Sequence, residues 1–133
     1  MNAFQYTDEI SVVLTNDTEI LKLLKVNTKS LASYSKKFRR RDQQVDEFEP
    51  TDLDFIAFYF VDADQTQNAY MNKGLLRVEI YSKTRAAASK IRNRVVALLH
   101  DKFDLRVAAE GQKISGIKDI YKYRLEYTPL IFN

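Results

Sequence analysis

Apolar residues recur at helical spacing in two parts of the chain and follow strand-like patterns in several others. Between residues 7 and 15, Ile10, Val13 and Leu14 share one helical face, and Thr7 stands where a cap would. Asn16-Asp17 predicts an interruption. Thr18-Glu19 then opens a short second helix with Ile20, Leu21, Leu23 and Leu24 as its apolar positions; one continuous helix to Lys25 is the alternative. The strongest helical pattern covers roughly residues 85–102, capped by Thr84. There Ala88, Ile91, Val95, Leu98 and Leu99 form one stripe, and Arg85, Lys90, Asn93, Arg94 and Asp101 lie largely outside it.

Residues 54–61 are aromatic-rich and apolar at successive positions, which predicts a central strand covered on both faces. Residues 62–73 read as a polar connection. Residues 74–82 alternate, with Leu76, Val78 and Ile80 on one face and Arg77, Glu79 and Tyr81 on the other. This is a half-buried strand, antiparallel to the one before it. Leu105 to Glu110 reads as a short strand, and Gly111 and Gly116 punctuate the turn region after it. Residues 118–128 alternate again, Tyr121, Tyr123, Leu125 and Tyr127 against Lys122, Arg124, Glu126 and Thr128, until Pro129 ends the strand or sets it at a sheet edge. The order predicts an α+β fold: an antiparallel (mixed) sheet of about four strands packed against a long helix and N-terminal helices. Residues 26–53 show no sustained period and read as a long flexible loop with room for one short edge strand.

With 133 residues the chain fits a single domain, 1–133. The 45% hydrophobic and 29% charged fractions are those of a globular protein. The absence of cysteine removes disulfides and thiolate chemistry. The N-terminus does not read as a signal peptide, and no apolar run approaches the roughly 20 residues that span a bilayer. These features predict synthesis in the cytoplasm and no membrane partner. The net charge of +3 hides an asymmetry. Seven of the 21 basic residues lie between Lys25 and Arg41, with no acid among them, leaving 14 basic against 18 acidic side chains elsewhere, a net of −4.

Catalytic signatures fail one by one, so no enzyme is expected, with no catalytic residues, cofactor or metal. His100 is the lone histidine and falls in the last turn of the long helix, where a cation complements the helix dipole. Three glycines do not build a phosphate-cradling loop, and neither G-x-G-x-x-G nor G-K-[ST] occurs. Asp46, Glu47, Glu49, Asp52 and Asp54 lack the spacing of a calcium loop; they read as a solvated acidic stretch or as partners of the neighbouring basic run. The candidate interaction residues are therefore the run Lys36, Lys37, Phe38, Arg39, Arg40 and Arg41, together with Arg85 and Arg94 on the long helix. Five cations around one aromatic suit phosphates or an acidic surface; the competing reading is a solvated loop.

Four stretches resemble one family. Ile10 to Leu24 is similar to its opening helix, acidic break and short apolar helix. Asp46 to Phe60 resembles the loop leading into its first central strand, Leu75 to Lys90 its strand-into-helix step, and Gly116 to Tyr127 its closing strand. The family is that of the tail-terminator or tail-completion (head–tail joining) proteins of long-tailed bacteriophages. The likeness is one of element pattern and covers nearly the whole chain, with the basic segment 25–41 as the departure from many relatives. It implies a homo-oligomeric ring, a hexamer, in the neck of the virion, contacting the tail tube protein and the head-side connector or head-completion protein. It also implies DNA passing through the ring without sequence-specific binding. Other neck proteins, a nucleic-acid-binding α+β module and a small-molecule-binding or enzymatic α+β domain are the alternatives.

Overall fold

The structure, a computed structural model, describes residues 2–65 and 71–132. Three helices open the chain, α1 (Ala3–Thr15), α2 (Thr18–Leu23) and α3 (Leu31–Lys37). A two-residue strand, β1 (Phe38–Arg39), and two 3-10 turns, Val45–Glu47 and Pro50–Asp52, lead into β2 (Phe55–Gln65). Then follow β3 (Met71–Ser82), α4 (Arg85–Phe103), β4 (Ala109–Lys113), β5 (Tyr121–Tyr127) and β6 (Leu130–Phe132). The strands form one mixed sheet in the order β1-β2-β3-β5-β4, with β6 beside the start of β3. Only the β1–β2 pairing is parallel among the described strands. The architecture is the expected α+β one, with β1 as the short edge strand for which segment 26–53 has room, and it is enlarged by the short strand β6.

Local chemistry sets the helix ends. α1 starts at Ala3, not near Thr7, because Asn2 and Gln5 cap it reciprocally: the Gln5 N–H donates to Asn2 Oδ1 at 2.9 Å and the Asn2 N–H to Gln5 Oε1 at 3.0 Å. The Thr7 hydroxyl instead donates back to the carbonyls of Ala3 and Phe4 inside the helix. Asp17 accepts from the Ile20 N–H at 3.0 Å and starts α2, so the break between the first two helices is real. Thr84 accepts from the Ala87 N–H at 3.1 Å and starts α4.

At the far end of α4, Asp104 adopts a left-handed conformation (φ 53°). The Asp104 N–H returns to the His100 carbonyl at 3.0 Å and the Leu105 N–H to the Leu99 carbonyl at 3.2 Å. The bond from the left-handed residue to the carbonyl four positions back is that of an αL ending, with Leu105 packed against the helix-side core. Leu105 and Val107 therefore mimic a strand alternation while serving the helix end, and β4 begins only at Ala109.

Both ends of the polar stretch 62–73 are strand, which its composition does not predict. β2 and β3 stay paired through Asp64↔Lys73 and Gln65↔Asn72, after a register shift between Val61 and Asp64. Ladder pairing uses backbone groups alone, so polar composition does not mark where a ribbon ends. The middle of that expected connection, 66–70, lies outside the described residues.

Helices α1, α2 and α4 cover one face of the sheet. Ile10, Leu14, Ile20, Ile91, Val95 and Leu99 are fully buried there against Ile56, Phe58, Leu76, Val78, Ile80 and Leu125. Each such side chain contributes roughly 1.5–3 kcal/mol relative to exposure.

The segment 26–53 is not a plain loop. Ser30 caps α3 by accepting from the Ser33 N–H, and Pro50 stands in the first turn of the second 3-10 element. The segment then crosses the helix-free face of the sheet, where Phe48 and Leu53 join Phe55, Ala57 and Tyr81 in a second, smaller core. Phe48 meets Phe55 and Tyr81 edge-on at 5.1 and 5.3 Å between ring centroids, and Phe55 stacks on Tyr81 at 4.7 Å.

Candidate interaction surfaces

The basic run falls at the junction of α3 and β1, and strand geometry divides it. Phe38 points into the helix-side core, 8% exposed and stacked on Tyr34 at 6.3 Å. Arg39 therefore points to the opposite face of the sheet. Its guanidinium lies 4.3 Å from the centroid of the Phe55 ring and bridges Gln43 Oε1 at 2.8 Å and Asp52 Oδ2 at 3.1 Å. Burial pushes the Asp52 carboxyl up, but the Glu49 N–H and Arg39 outweigh it and hold the group below its ordinary range. Lys37 donates to the carbonyls of Asp52 and Leu53 at 3.1 and 2.9 Å, and burial lowers its pKa.

Arg40 pairs with Asp8 of α1 at 2.6 Å, and Arg41 reaches Glu47 at 3.6 Å, both with largely exposed side chains. Lys36 is exposed. The six residues thus do not form one patch. Lys37, Phe38 and Arg39 fasten the 42–53 segment to the fold, while Lys36, Arg40 and Arg41 face outward. The acidic stretch supplies Glu47 and Asp52 as their partners.

Of the two helix residues, Arg94 is spent inside the molecule. It forks onto both carboxylate oxygens of Asp17 at 2.6 and 2.9 Å and touches Glu19 at 3.0 Å, tying α4 to the start of α2. Its hydrogen bonds hold the Asp17 carboxyl below the usual range. Arg85, on the first turn of α4, is exposed and has no ion-pair partner among the described residues. His100 lies in the last turn of α4 with its ring 3.5 Å from Asp101.

The most organised polar site lies on the face of β3 that its alternation predicts to be the open one. Glu79, in the middle of β3, is fully buried on the helix-free side. One oxygen accepts from the Tyr59 hydroxyl at 2.7 Å. The other accepts from Arg124 at 2.8 Å and Lys122 at 3.1 Å. Burial pushes its carboxyl up, yet Tyr59, Lys122 and Arg124 prevail and hold it below the usual carboxylate range. The cross-strand register explains the cluster: Glu79 lies opposite Ala57 on β2 and Arg124 on β5, and Tyr81 lies opposite Lys122. Arg77 and Glu126 extend the same row at 3.8 Å. The available signal was charge complementarity, Arg77-x-Glu79 against Lys122-x-Arg124-x-Glu126, which becomes a network only once the two strands are known to pair.

A cleft of about 410 Å³ opens on the other side of the sheet, between α4 and the β4–β5 hairpin. Arg85, Ser89 and Arg92 line it from the helix, and Glu110, Tyr121 and Tyr123 from the strands. Arg92 grips both oxygens of Glu110 at 2.8 and 3.0 Å, and the Tyr123 hydroxyl donates to the same carboxylate at 2.8 Å.

Among the described residues no cluster of three His, Asp or Glu side chains is arranged to hold a metal ion, and no helix is long and apolar enough to cross a membrane. Comparison with protein-family models and with curated proteins yields no match to this chain.

Proposed function

We propose that the protein is a structural assembly subunit that forms a ring at the head–tail interface of a long-tailed bacteriophage, terminating the tail tube and joining it to the head connector. Its partners on this reading are further copies of itself, six to a ring, the tail tube protein and the head-side connector. DNA passes through the ring without being read, and the protein belongs to the virion neck. A head-completion, adaptor or minor tail role is the neighbouring reading.

The observation that carries the proposal is the β2–β3 ribbon. β5 accompanies β3 only from Leu76 to Ser82, whereas the β2–β3 pairing continues to Gln65 and Asn72. The five residues from Leu76 back to Met71, at about 3.4 Å each, carry it roughly 17 Å beyond the β5 pairing. Among the described strands only the three-residue β6 flanks β3 there. There the sheet narrows to β2, β3 and the short β6, and so narrow an extension gains stability by packing on a neighbour. The resemblance of the element order to the tail-terminator family supplies the identity of the neighbours.

Light scattering and negative-stain imaging of the purified protein, with imaging of phage particles, test the proposal. Rings and presence in virions are expected. A protein that is absent from virions and forms no ring at any concentration sinks the reading. A variant in which an Asn-Gly turn replaces residues 64–73 should stay folded and lose the ring. Rings that survive this shortening remove the ribbon from the argument.

A further inference from the structure

The cleft between α4 and the β4–β5 hairpin has a composition that assembly does not call for. Tyr121 and Tyr123 run along it with ring planes 11° from parallel and centroids 6.5 Å apart. Arg92 is already held by Glu110, whose carboxylate also accepts from the Tyr123 hydroxyl, and this fixes that end of the wall. At the other end the cleft continues into a depression lined by Lys83, Arg85, Asp119 and Tyr121. Lys83 and Arg85 have no ion-pair partner among the described residues. Along the two depressions, Lys83, Arg85 and Arg92 face Glu110 and Asp119, leaving one positive charge in excess. Ser89 and Asn93 add neutral hydrogen-bonding groups beside the rings.

We propose that this cleft binds a nucleotide unit, with the phosphate at Lys83 and Arg85 and the base along Tyr121 and Tyr123. The excess of one positive charge matches a phosphodiester. Aromatic walls beside cations are the general means of holding a base and its phosphate without reading sequence. The volume lies within the range of small-ligand sites. The opening beside Ala88 and Ser89 exists because α4 presents small side chains where the strands present tyrosines. The ligand is either a free nucleotide or one residue of a single strand, and the two share this chemistry. The inference stands independently of the ring proposal.

Amide NMR titrations with adenosine monophosphate and with a deoxyadenylate hexamer test it, since both carry the same base. Shifts centred on Arg85, Ser89, Tyr121 and Tyr123 are expected. Arg85→Ala, which removes the phosphate contact, and Ser89→Leu, which fills the cleft, should each weaken binding about tenfold. Lys102→Ala, at the far end of α4, should leave it unchanged. Both sites are exposed, and thermal melts verify that the variants are folded. Binding of the hexamer alone identifies a single strand as the source; binding of the mononucleotide alone identifies a free nucleotide. The proposal is overturned if neither ligand shifts the cleft at millimolar concentration. It is equally overturned if both variants bind as the parent does, or if the shifts centre on Lys36, Arg40 and Arg41.

Discussion

Glu79→Gln tests the energetics of the helix-free face. The substitution keeps the side-chain shape and removes the charge that Arg124, Lys122 and Tyr59 share. One amide oxygen remains as an acceptor, and the new NH2 group faces donors. Removing one partner of a buried ion pair costs about 3–5 kcal/mol. The Lys122 and Arg124 side chains retain 11% and 18% exposure, so water reaches the released cations in part and the lower end, about 3 kcal/mol, applies. Unfolding entropy of about 2.1 cal/mol/K per residue over 133 residues converts this to a fall in Tm of about 10 °C.

The pH dependence has a definite sign. The folded-state pKa of Glu79 is depressed below its ordinary 4.5, so its stabilisation is present above that value. It is lost as the pH falls through the lower folded-state value. Urea unfolding of both proteins at pH 7 and at steps below 4.5 measures it. The gap between wild type and variant should be full at pH 7 and shrink in acid. A gap under 1 kcal/mol at pH 7, or one that widens in acid, refutes the argument that this carboxylate is buried, charged and paired.

Three further substitutions probe other parts of the fold. The Tyr127 hydroxyl is buried without a hydrogen-bond partner among the described residues, so Tyr127→Phe should be neutral or stabilising by up to about 1 kcal/mol in urea unfolding; a loss above that value would mean the hydroxyl is paired. Asp104 holds a left-handed conformation at the end of α4, so Asp104→Gly should raise stability by about 0.5–1 kcal/mol, read as a higher Tm. Phe48→Ala removes the ring that joins the 42–53 segment to Phe55 and Tyr81 and should cost about 3 kcal/mol. Hydrogen exchange should rise across residues 43–53 and stay unchanged in α4. Uniform acceleration across the chain would show that this segment does not open by itself.

What could be read in advance was what depends on near neighbours. The α4 stripe and its Thr84 cap, the break at Asp17 and the alternation of β3 all involve residues within a few positions of one another, and each stands where the pattern puts it. Reciprocal capping by Asn2 and Gln5 is equally local, but Thr7 was an equally good candidate cap, and the start of α1 was misplaced by four residues. The alternation of Leu105 and Val107 was real but belonged to a helix ending, since one apolar residue packing back on α4 looks the same as a strand face.

The candidate site fared differently because its partners are distant in sequence. Arg39 meets Asp52 and Phe55, Arg94 meets Asp17, and Glu79 meets Lys122 and Arg124 only through strand register. A run of like charges gives no sign that alternate members enter opposite faces of a sheet. Exposed Arg85 and the tyrosines of β5 were visible individually, but the cleft between them is a product of how α4 crosses the sheet.

The Glu79 cluster also constrains how this surface changes over generations. Its one carboxylate is shared by two cations on the neighbouring strand, so a substitution at Glu79 strands both Lys122 and Arg124, whereas loss of either cation leaves Glu79 paired with the other. Replacing the whole set by apolar residues of similar volume would be tolerated, whereas an intermediate that loses Glu79 first carries two partly buried cations without their carboxylate. Related chains should therefore keep Glu79 wherever they keep both cations. Loss of Glu79 should go with loss of the cations opposite it, even across chains whose outer loops have diverged beyond recognition.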